Sequence, residues 1–244
     1  MRSNFKPGTL HAPLPAVMAT VGDMDNANII TVAWTGILSS DPARTYISVR
    51  PSRYSHKLLL EGGEFVINLT TEALAYATDY AGIYTGAKID KFEKLGLTKV
   101  KSAEVAPPTI EESPLALECR VFDVLHFGTH DVFMADIVNV SCDESVLDSN
   151  GKICFDKAGL MAYAHGEYYA LGEKIGKFGF SAAKTQEAKQ YAERSKRKLS
   201  LRKGARASVK PKAPQAKSGA KSHPVPNKTH NSKRSVKNEK SGKR

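Results

Sequence analysis

The first 55 residues constrain the fold most, because they contain short apolar runs and no helix-length pattern. Residues 16–21 and 29–34 are two such runs, and the residues between them (Gly, Asp and Asn among them) favour turns. This spacing predicts an antiparallel hairpin, and residues 44–49 are expected to form a third strand. A βαβ opening would need a helical pattern between the first strands, so the sequence argues against it.

The rest of the first 172 residues extends this pattern. Further strands are predicted at residues 64–69, 115–127, 132–142 and 163–172, and residues 128–131 form a second hairpin turn. Short helices are predicted at residues 56–60 and 72–81, with one helical turn within residues 86–96. The sequence therefore indicates a mainly β domain with short helices.

A group of basic and hydroxyl side chains follows directly after the third predicted strand. Residues 50–57 hold two arginines, serines, a histidine and a lysine. Pro51 should end the strand because it has no N–H to donate, and Ser55 is expected to cap the next helix. A strand end, a basic turn and a helix N-terminus together suit a phosphate monoester. A solvated basic turn is the alternative. No GxGxxG or GxxxxGK[ST] pattern occurs, so nothing indicates a Rossmann or Walker site.

Two other features bear on ligand binding. Small and hydroxyl-bearing residues flank Trp34, the single tryptophan, and would let the backbone approach a flat ligand closely. A core tryptophan under one end of a barrel is the alternative. The loop at residues 86–96 carries Lys88, Lys91 and Lys94, for which a solvated basic surface is the simplest interpretation.

No metal site is predicted. His126 and His130 lie on either side of the second hairpin turn without a third ligand nearby, which favours structural roles. Cys119, Cys142 and Cys154 fit neither a disulfide framework nor a zinc site, so we expect reduced thiols in a cytoplasmic protein. No run approaches the ~20 apolar residues of a membrane span, and residues 1–8 lack the apolar core of a signal peptide. We therefore expect no membrane association.

The positive charge of the chain is concentrated in its C-terminal part. Residues 181–244 hold 20 of the 36 Lys and Arg residues and 3 of the 25 Asp and Glu residues, a net of +17, which leaves −6 for residues 1–180. We predict a globular domain at 1–180 and a basic low-complexity tail at 181–244. Residues 181–203 are compatible with a basic helix, and the remainder is expected to be disordered. We expect non-specific binding of nucleic acid such as RNA by this tail; a solubilising extension is the alternative.

Five segments occur together in an order and spacing typical of one family: residues 28–36, 48–55, 64–69, 90–93 and 168–172. Through them, residues 13–172 resemble the flavin reductase-like, FMN-binding split-barrel proteins. The resemblance implies a six-stranded antiparallel Greek-key split barrel with short helices, assembled as a homodimer with one FMN per subunit. The disordered basic C-terminal tail has no counterpart in the family pattern.

The resemblance also implies the residues that hold the cofactor. The phosphate would be bound around Arg50 and Arg53, the isoalloxazine would lie along residues 31–35, and Lys91 would contact the flavin. The cofactor-binding set is Asn28, Thr31, Val32, Ala33, Trp34, Thr35, Ser48, Arg50, Ser52, Arg53, Ser55, His56 and Lys91. No catalytic residue is assigned, because the cofactor carries the redox chemistry.

The function implied is that of an NAD(P)H-dependent flavin oxidoreductase. It would take a hydride from NADH or NADPH onto flavin and pass the electrons to an acceptor. One alternative is an FMN-binding electron carrier without nicotinamide activity of its own. The other is an interaction protein that acts through the basic tail.

Overall fold

The computed structural model describes residues 2–208 of the protein. They belong to two compact units, one formed by residues 2–178 and the other beginning at residue 179. In the second unit, Gln186–Ser208 is helical, which agrees with the basic helix considered for residues 181–203. Disorder was expected for all residues after 203, and this is wrong for residues 204–208, because they continue the same helix to its end at Ser208. The rest of that prediction, for residues 209–244, lies outside the described residues.

The secondary structure of the described residues is mainly β. The strands are β1 (Leu14–Pro15), β2 (Val17–Val21), β3 (Asn28–Val32), β4 (Thr35–Ser40), β5 (Ala43–Val49), β6 (Glu64–Asn68), β7 (Lys99–Val100), β8 (Thr109–Ile110), β9 (Leu115–His126), β10 (Asp131–Cys142), β11 (Met161–Ala164) and β12 (Glu167–Ala170). The α-helices are α1 (Tyr54–Gly62), α2 (Ala75–Ile83), α3 (Lys91–Leu95) and α4 (Gln186–Ser208). Short 3₁₀ helices cover Glu72–Leu74, Glu144–Val146, Phe155–Lys157 and Phe180–Ala182.

The main sheet of the described residues has seven antiparallel strands in the order β3-β2-β6-β9-β10-β5-β4. The N–H of Ser48 in β5 donates to the carbonyl of Trp34 at 2.9 Å, so the chain that leaves β3 returns beside β5. This is the predicted antiparallel split barrel. It has one strand more than the predicted six because residues 35–40 pair with β5 as β4.

The core explains why β2 is apolar along its whole length. Successive side chains of a strand point to opposite faces. Val17 and Val21 pack in one buried cluster with Phe65 and other strand residues, whereas Met18 packs in a second cluster with residues of β3, α2 and α3. Both faces of β2 are therefore covered, and all five of its residues are buried.

The prediction of one last strand at residues 163–172 is wrong in its details, because this segment forms a hairpin. His165 and Gly166 both have positive φ, at 51° and 95°, and form the turn between β11 and β12. Glycine adopts this conformation readily, and histidine is among the residues enriched there. As a result Tyr163 and Tyr168 face each other across the two strands.

No helix within residues 2–208 combines the length and the apolar character that crossing a membrane requires.

Candidate functional site

A cavity of about 410 Å³ lies among β3, β5, α2 and the β11–β12 hairpin. The predicted site residues that line it are Thr31, Val32, Ala33, Trp34, Ser48, Arg50 and Arg53. They come together because the backbone passes from the end of β3 to β4 and then returns along β5. A segment near residue 31 and a segment near residue 50 thus meet in one place.

A smaller cavity of about 90 Å³ adjoins the first, with which it shares Ile30 and Arg53. The predicted residues found here are Asn28, Ser52, Arg53, Ser55 and Lys91. The two cavities together account for the predicted set with the exceptions of Thr35 and His56.

The turn that carries the two arginines is formed as its sequence predicts. β5 ends at Val49, and the N–H of Arg53 donates to the carbonyl of Arg50 at 3.0 Å. Nη1 of Arg53 donates to the carbonyl of Gly82 in α2 at 3.2 Å. Within the described residues neither guanidinium forms a salt bridge, so both are available to an anion.

Two ionisable groups near the arginines have a lowered pKa. Burial and the guanidinium of Arg53 lower the pKa of Lys91 from 10.5 to about 8. Burial and the guanidinium of Arg50 lower the pKa of His130, which lines the larger cavity. Burial is the larger cause of both shifts and the neighbouring guanidinium is the smaller one, and an anionic ligand would oppose the part that comes from the guanidinium.

Lys91 has a defined structural role as well as its place in the smaller cavity. Only 3% of it is exposed, and Nζ donates to the carbonyls of Ile29 at 2.6 Å and Ala81 at 2.7 Å. The side chain therefore joins the start of α3 to β3 and α2. The solvated-surface interpretation is wrong for Lys91, although Lys88 and Lys94 are exposed as it predicted.

The role predicted for Ser55 as the helix cap is also wrong. α1 begins at Tyr54, and Arg53 occupies the N-cap position with an extended backbone. Ser55 is buried, and its Oγ accepts a hydrogen bond from Nδ2 of Asn28 at 2.7 Å. A Cβ on Gly86 would lie 2.0 Å from Oδ1 of Asn28, so glycine is needed for this close approach.

Thr35 and His56 are the two predicted residues that the structure keeps away from the cavities. Oγ1 of Thr35 donates to the carbonyl of Tyr46 at 2.5 Å. Nε2 of His56 lies 2.7 Å from Oδ2 of Asp131, and Nδ1 of His126 lies 2.8 Å from its Oδ1. Both histidines thus share one buried carboxylate, a structural arrangement.

His130 stands apart from that pair. Its ring lies 4.4 Å from the ring of Trp34, measured between centroids, at the wall of the larger cavity. Within residues 2–208 no three His, Cys, Asp or Glu side chains are grouped so that they could hold a metal ion.

Several residues of the larger cavity were not predicted from the sequence, chiefly Asp79, His130, Tyr163 and Tyr168. The hydroxyl of Tyr168 donates to Oδ1 of Asp79 at 3.2 Å, although the two residues are 89 positions apart. Burial, followed by the Asp79 carboxylate, raises the pKa of Tyr168 to about 12. The aromatic character of residues 163–169 was the available signal, but the hairpin that brings both tyrosines together was not predicted.

The resulting site has two chemically different parts. Arginine guanidiniums and serine hydroxyls can hold an anionic group, as in charge-assisted phosphate binding. The backbone of residues 31–34 and the rings of Trp34, Tyr163 and Tyr168 can enclose a flat aromatic group. A ligand that joins a phosphate to a flat ring system would satisfy both parts.

Comparison with known proteins agrees with this arrangement. The family model for the flavin reductase like domain matches residues 10–172. The structure of flavoredoxin from Desulfovibrio vulgaris (Miyazaki F) is 33% identical with a TM-score of 0.70, and the match covers 75% of this chain and 100% of that one. Flavoredoxin from Methanosarcina acetivorans is 25% identical with a TM-score of 0.65 and the same coverages. An uncharacterized protein from Archaeoglobus fulgidus is 36% identical over 133 residues, 54% of this chain and 75% of its own length.

Proposed function

Since the chain belongs to the flavin reductase like domain family, we propose that it binds FMN and acts as an NAD(P)H-dependent flavin oxidoreductase. It would take a hydride from NADH or NADPH onto flavin and pass the electrons to an acceptor. The observation that carries this proposal is the cavity of about 410 Å³ in which Arg50 and Arg53 lie beside the backbone of residues 31–34. The similarity to two flavoredoxins supports a flavin as the ligand.

The side chains present fit FMN. A phosphate monoester carries close to two negative charges at neutral pH. Arg50 and Arg53 supply guanidiniums without a carboxylate partner in the described residues, and Ser52 adds a hydroxyl in the adjoining cavity. Burial, and after it the nearby guanidiniums, lower the pKa of Lys91 and of His130, and the guanidinium contribution reflects positive charge that an anion would neutralise. The donor set thus suits a dianionic group.

The protein's contribution would be to bind the flavin, to orient it and to shield it from water. When bound, flavin supplies the redox chemistry by accepting a hydride from a reduced nicotinamide and releasing electrons to an acceptor. Oγ1 of Thr31 donates to the carbonyl of Thr78, which fixes β3 against α2 along the cavity wall. Burial, followed by the guanidinium of Arg50, lowers the pKa of His130 and so favours its neutral imidazole. Tyr168 stays protonated and holds Asp79 by a hydrogen bond.

A homodimer is part of the proposal. β4 is an edge strand of the main sheet, and Ile37 and Leu38 on it are 68% and 46% exposed. Exposed apolar edge strands favour pairing with another chain. Light scattering should give twice the mass of one chain. The variant Ile37→Asp should give a monomer, whereas Leu60→Asp, which changes an exposed leucine on α1, should remain a dimer.

We also place the protein in a reducing compartment, the cytoplasm. Cys119, Cys142 and Cys154 are all free thiols in the structure, and free thiols persist where glutathione keeps them reduced.

An FMN-binding electron carrier without nicotinamide activity would use the same site, so one experiment has to separate the two functions. The purified protein is saturated with FMN under anaerobic conditions, and its absorption spectrum is followed after NADH, NADPH and finally dithionite. The proposal expects rapid loss of the oxidised flavin absorption with one of the two nicotinamides. Loss with dithionite alone would establish the carrier instead. Failure to retain FMN would contradict both of these functions. The remaining alternative would then be an interaction protein that acts through its basic tail.

A further inference from the structure

The helix α4 carries a large positive charge that the flavin site does not use. Its 23 residues contain eight Lys and Arg residues and two Glu residues. The side chains of the seven basic residues from Lys189 to Lys203 are exposed, and none of them forms a salt bridge within the described residues. A helix this basic is self-repelling, because like charges three or four positions apart destabilise it.

The cations form rows along the helix. Lys189, Lys196 and Lys203 are spaced by seven residues, so they lie on one side with a drift of ~20° per step. At 1.5 Å per residue this row is about 21 Å long. A second set at four-residue spacing, Arg194, Lys198 and Arg202, covers another side. Both sides of α4 can therefore face phosphates.

The apolar residues of α4 show which anionic partner it fits. Leu199 and Leu201 are exposed but two positions apart, so they point to nearly opposite sides of the helix. A helix that lies on a membrane surface needs a continuous apolar face, and the leucines do not form one. A nucleic acid needs only cations spaced along its phosphates.

We propose that α4 binds the phosphate backbone of nucleic acids without sequence preference. Binding releases the counterions condensed on the nucleic acid and neutralises the repulsion within α4.

The test uses the full-length protein and fluorescein-labelled 24-base-pair DNA duplexes of two unrelated sequences, followed by anisotropy between 50 and 200 mM salt. Equal affinity for both sequences is expected, with a linear fall of log affinity against log salt concentration. The variant K189Q/K196Q/K203Q should reduce the salt slope by about 2 to 3 and weaken binding at least about tenfold at 50 mM salt. Glutamine and lysine have similar helix propensities, so circular dichroism should show α4 retained.

The matched control is K6Q/K101Q/K152Q, which removes the same charge from exposed lysines outside α4. This control variant should leave the slope of log affinity against log salt concentration unchanged. An equal effect of the two triple variants, or no effect of the α4 variant, would overturn the assignment to α4. Binding to phosphatidylserine vesicles without binding to either duplex would show that the partner is a membrane, and would also overturn the proposal.

Discussion

The buried carboxylate of Asp131 lies 2.7 Å from Nε2 of His56, although the two residues are 75 positions apart in the chain. His126 contacts the other oxygen of the same carboxylate at 2.8 Å. His56 is in the first turn of α1, three residues after Arg53, and Asp131 directly follows His130 at the β9–β10 hairpin. The carboxylate therefore joins two segments whose neighbouring residues line the larger cavity.

Replacing Asp131 by asparagine should destabilise the protein. The amide group cannot accept hydrogen bonds on both of its atoms, and a hydrogen bond to a charged group contributes roughly 1.5–3 kcal/mol. We expect urea unfolding at pH 7 to show a loss of about that size. His126→Ala should cost less, because the His126 side chain is 71% exposed. Unchanged stability of Asp131→Asn would show that the two hydrogen bonds contribute nothing.

The stability difference between wild type and Asp131→Asn should depend on pH. The hydrogen bond from His126, followed by that from His56, holds the pKa of Asp131 below 3.8 despite its burial. A carboxyl with a lowered folded-state pKa stabilises the protein above its unfolded-state pKa and loses this effect as pH falls through the folded-state value. The stability difference between wild type and Asp131→Asn should therefore be largest near pH 6 and should decrease below pH 3.8. A constant difference between pH 6 and 2.5 would contradict this account.

Lys91 should give a pH dependence in the alkaline range. Its pKa is about 8 in the folded protein and 10.5 in the unfolded chain, so between these values the unfolded state binds more protons. Stability from this group therefore rises with pH from about 8 to 10.5. Urea unfolding at pH 7.5, 8.5 and 9.5 should show wild type gaining stability relative to Lys91→Met. If the stability of wild type relative to Lys91→Met stays constant or falls across this pH range, the buried amine is not the titrating group.

The three thiols should differ in reactivity. Cys119 is fully buried, and burial raises its pKa to about 12, whereas Cys142 and Cys154 are half-buried. Because the thiolate is the reactive form, Ellman's reagent at pH 8 should modify two thiols in the folded protein. The third should react only after denaturation. Rapid modification of all three would mean that the barrel around Cys119 opens readily.

The sequence predicted the parts of the site that depend on local structure. Arg50 and Arg53 could be found because a strand end, a proline and a helix start follow one another within a few residues. The small and hydroxyl side chains around Trp34 were compatible with a flat ligand, but residues 31–35 entered the predicted set through the family resemblance. Each of these signals lies within about ten residues, and the hairpin and turn rules apply at that range.

Contacts between distant segments were not predictable in the same way. Ser55 was expected to cap α1, but its hydroxyl is bound by Asn28, 27 positions earlier. His56 was assigned to the cofactor, but it is held by Asp131. Tyr168 and Asp79 were missed because their contact depends on an unpredicted hairpin. In each case a partner from another strand or helix decides the role of the side chain.

Binding of FMN and riboflavin to Arg50→Ala, measured by isothermal titration, tests the central claim most directly. Losing one charge-assisted hydrogen bond of about 1.5–3 kcal/mol should weaken FMN about 10- to 100-fold, with riboflavin, which lacks the phosphate, almost unaffected. Arg50→Lys should recover part of the loss, since an ammonium group cannot make a two-pronged contact. Arg120→Ala, which removes an arginine paired with Glu64, should leave the preference for FMN intact. Equal weakening of both flavins by Arg50→Ala, in a variant whose melting matches wild type, would contradict the account.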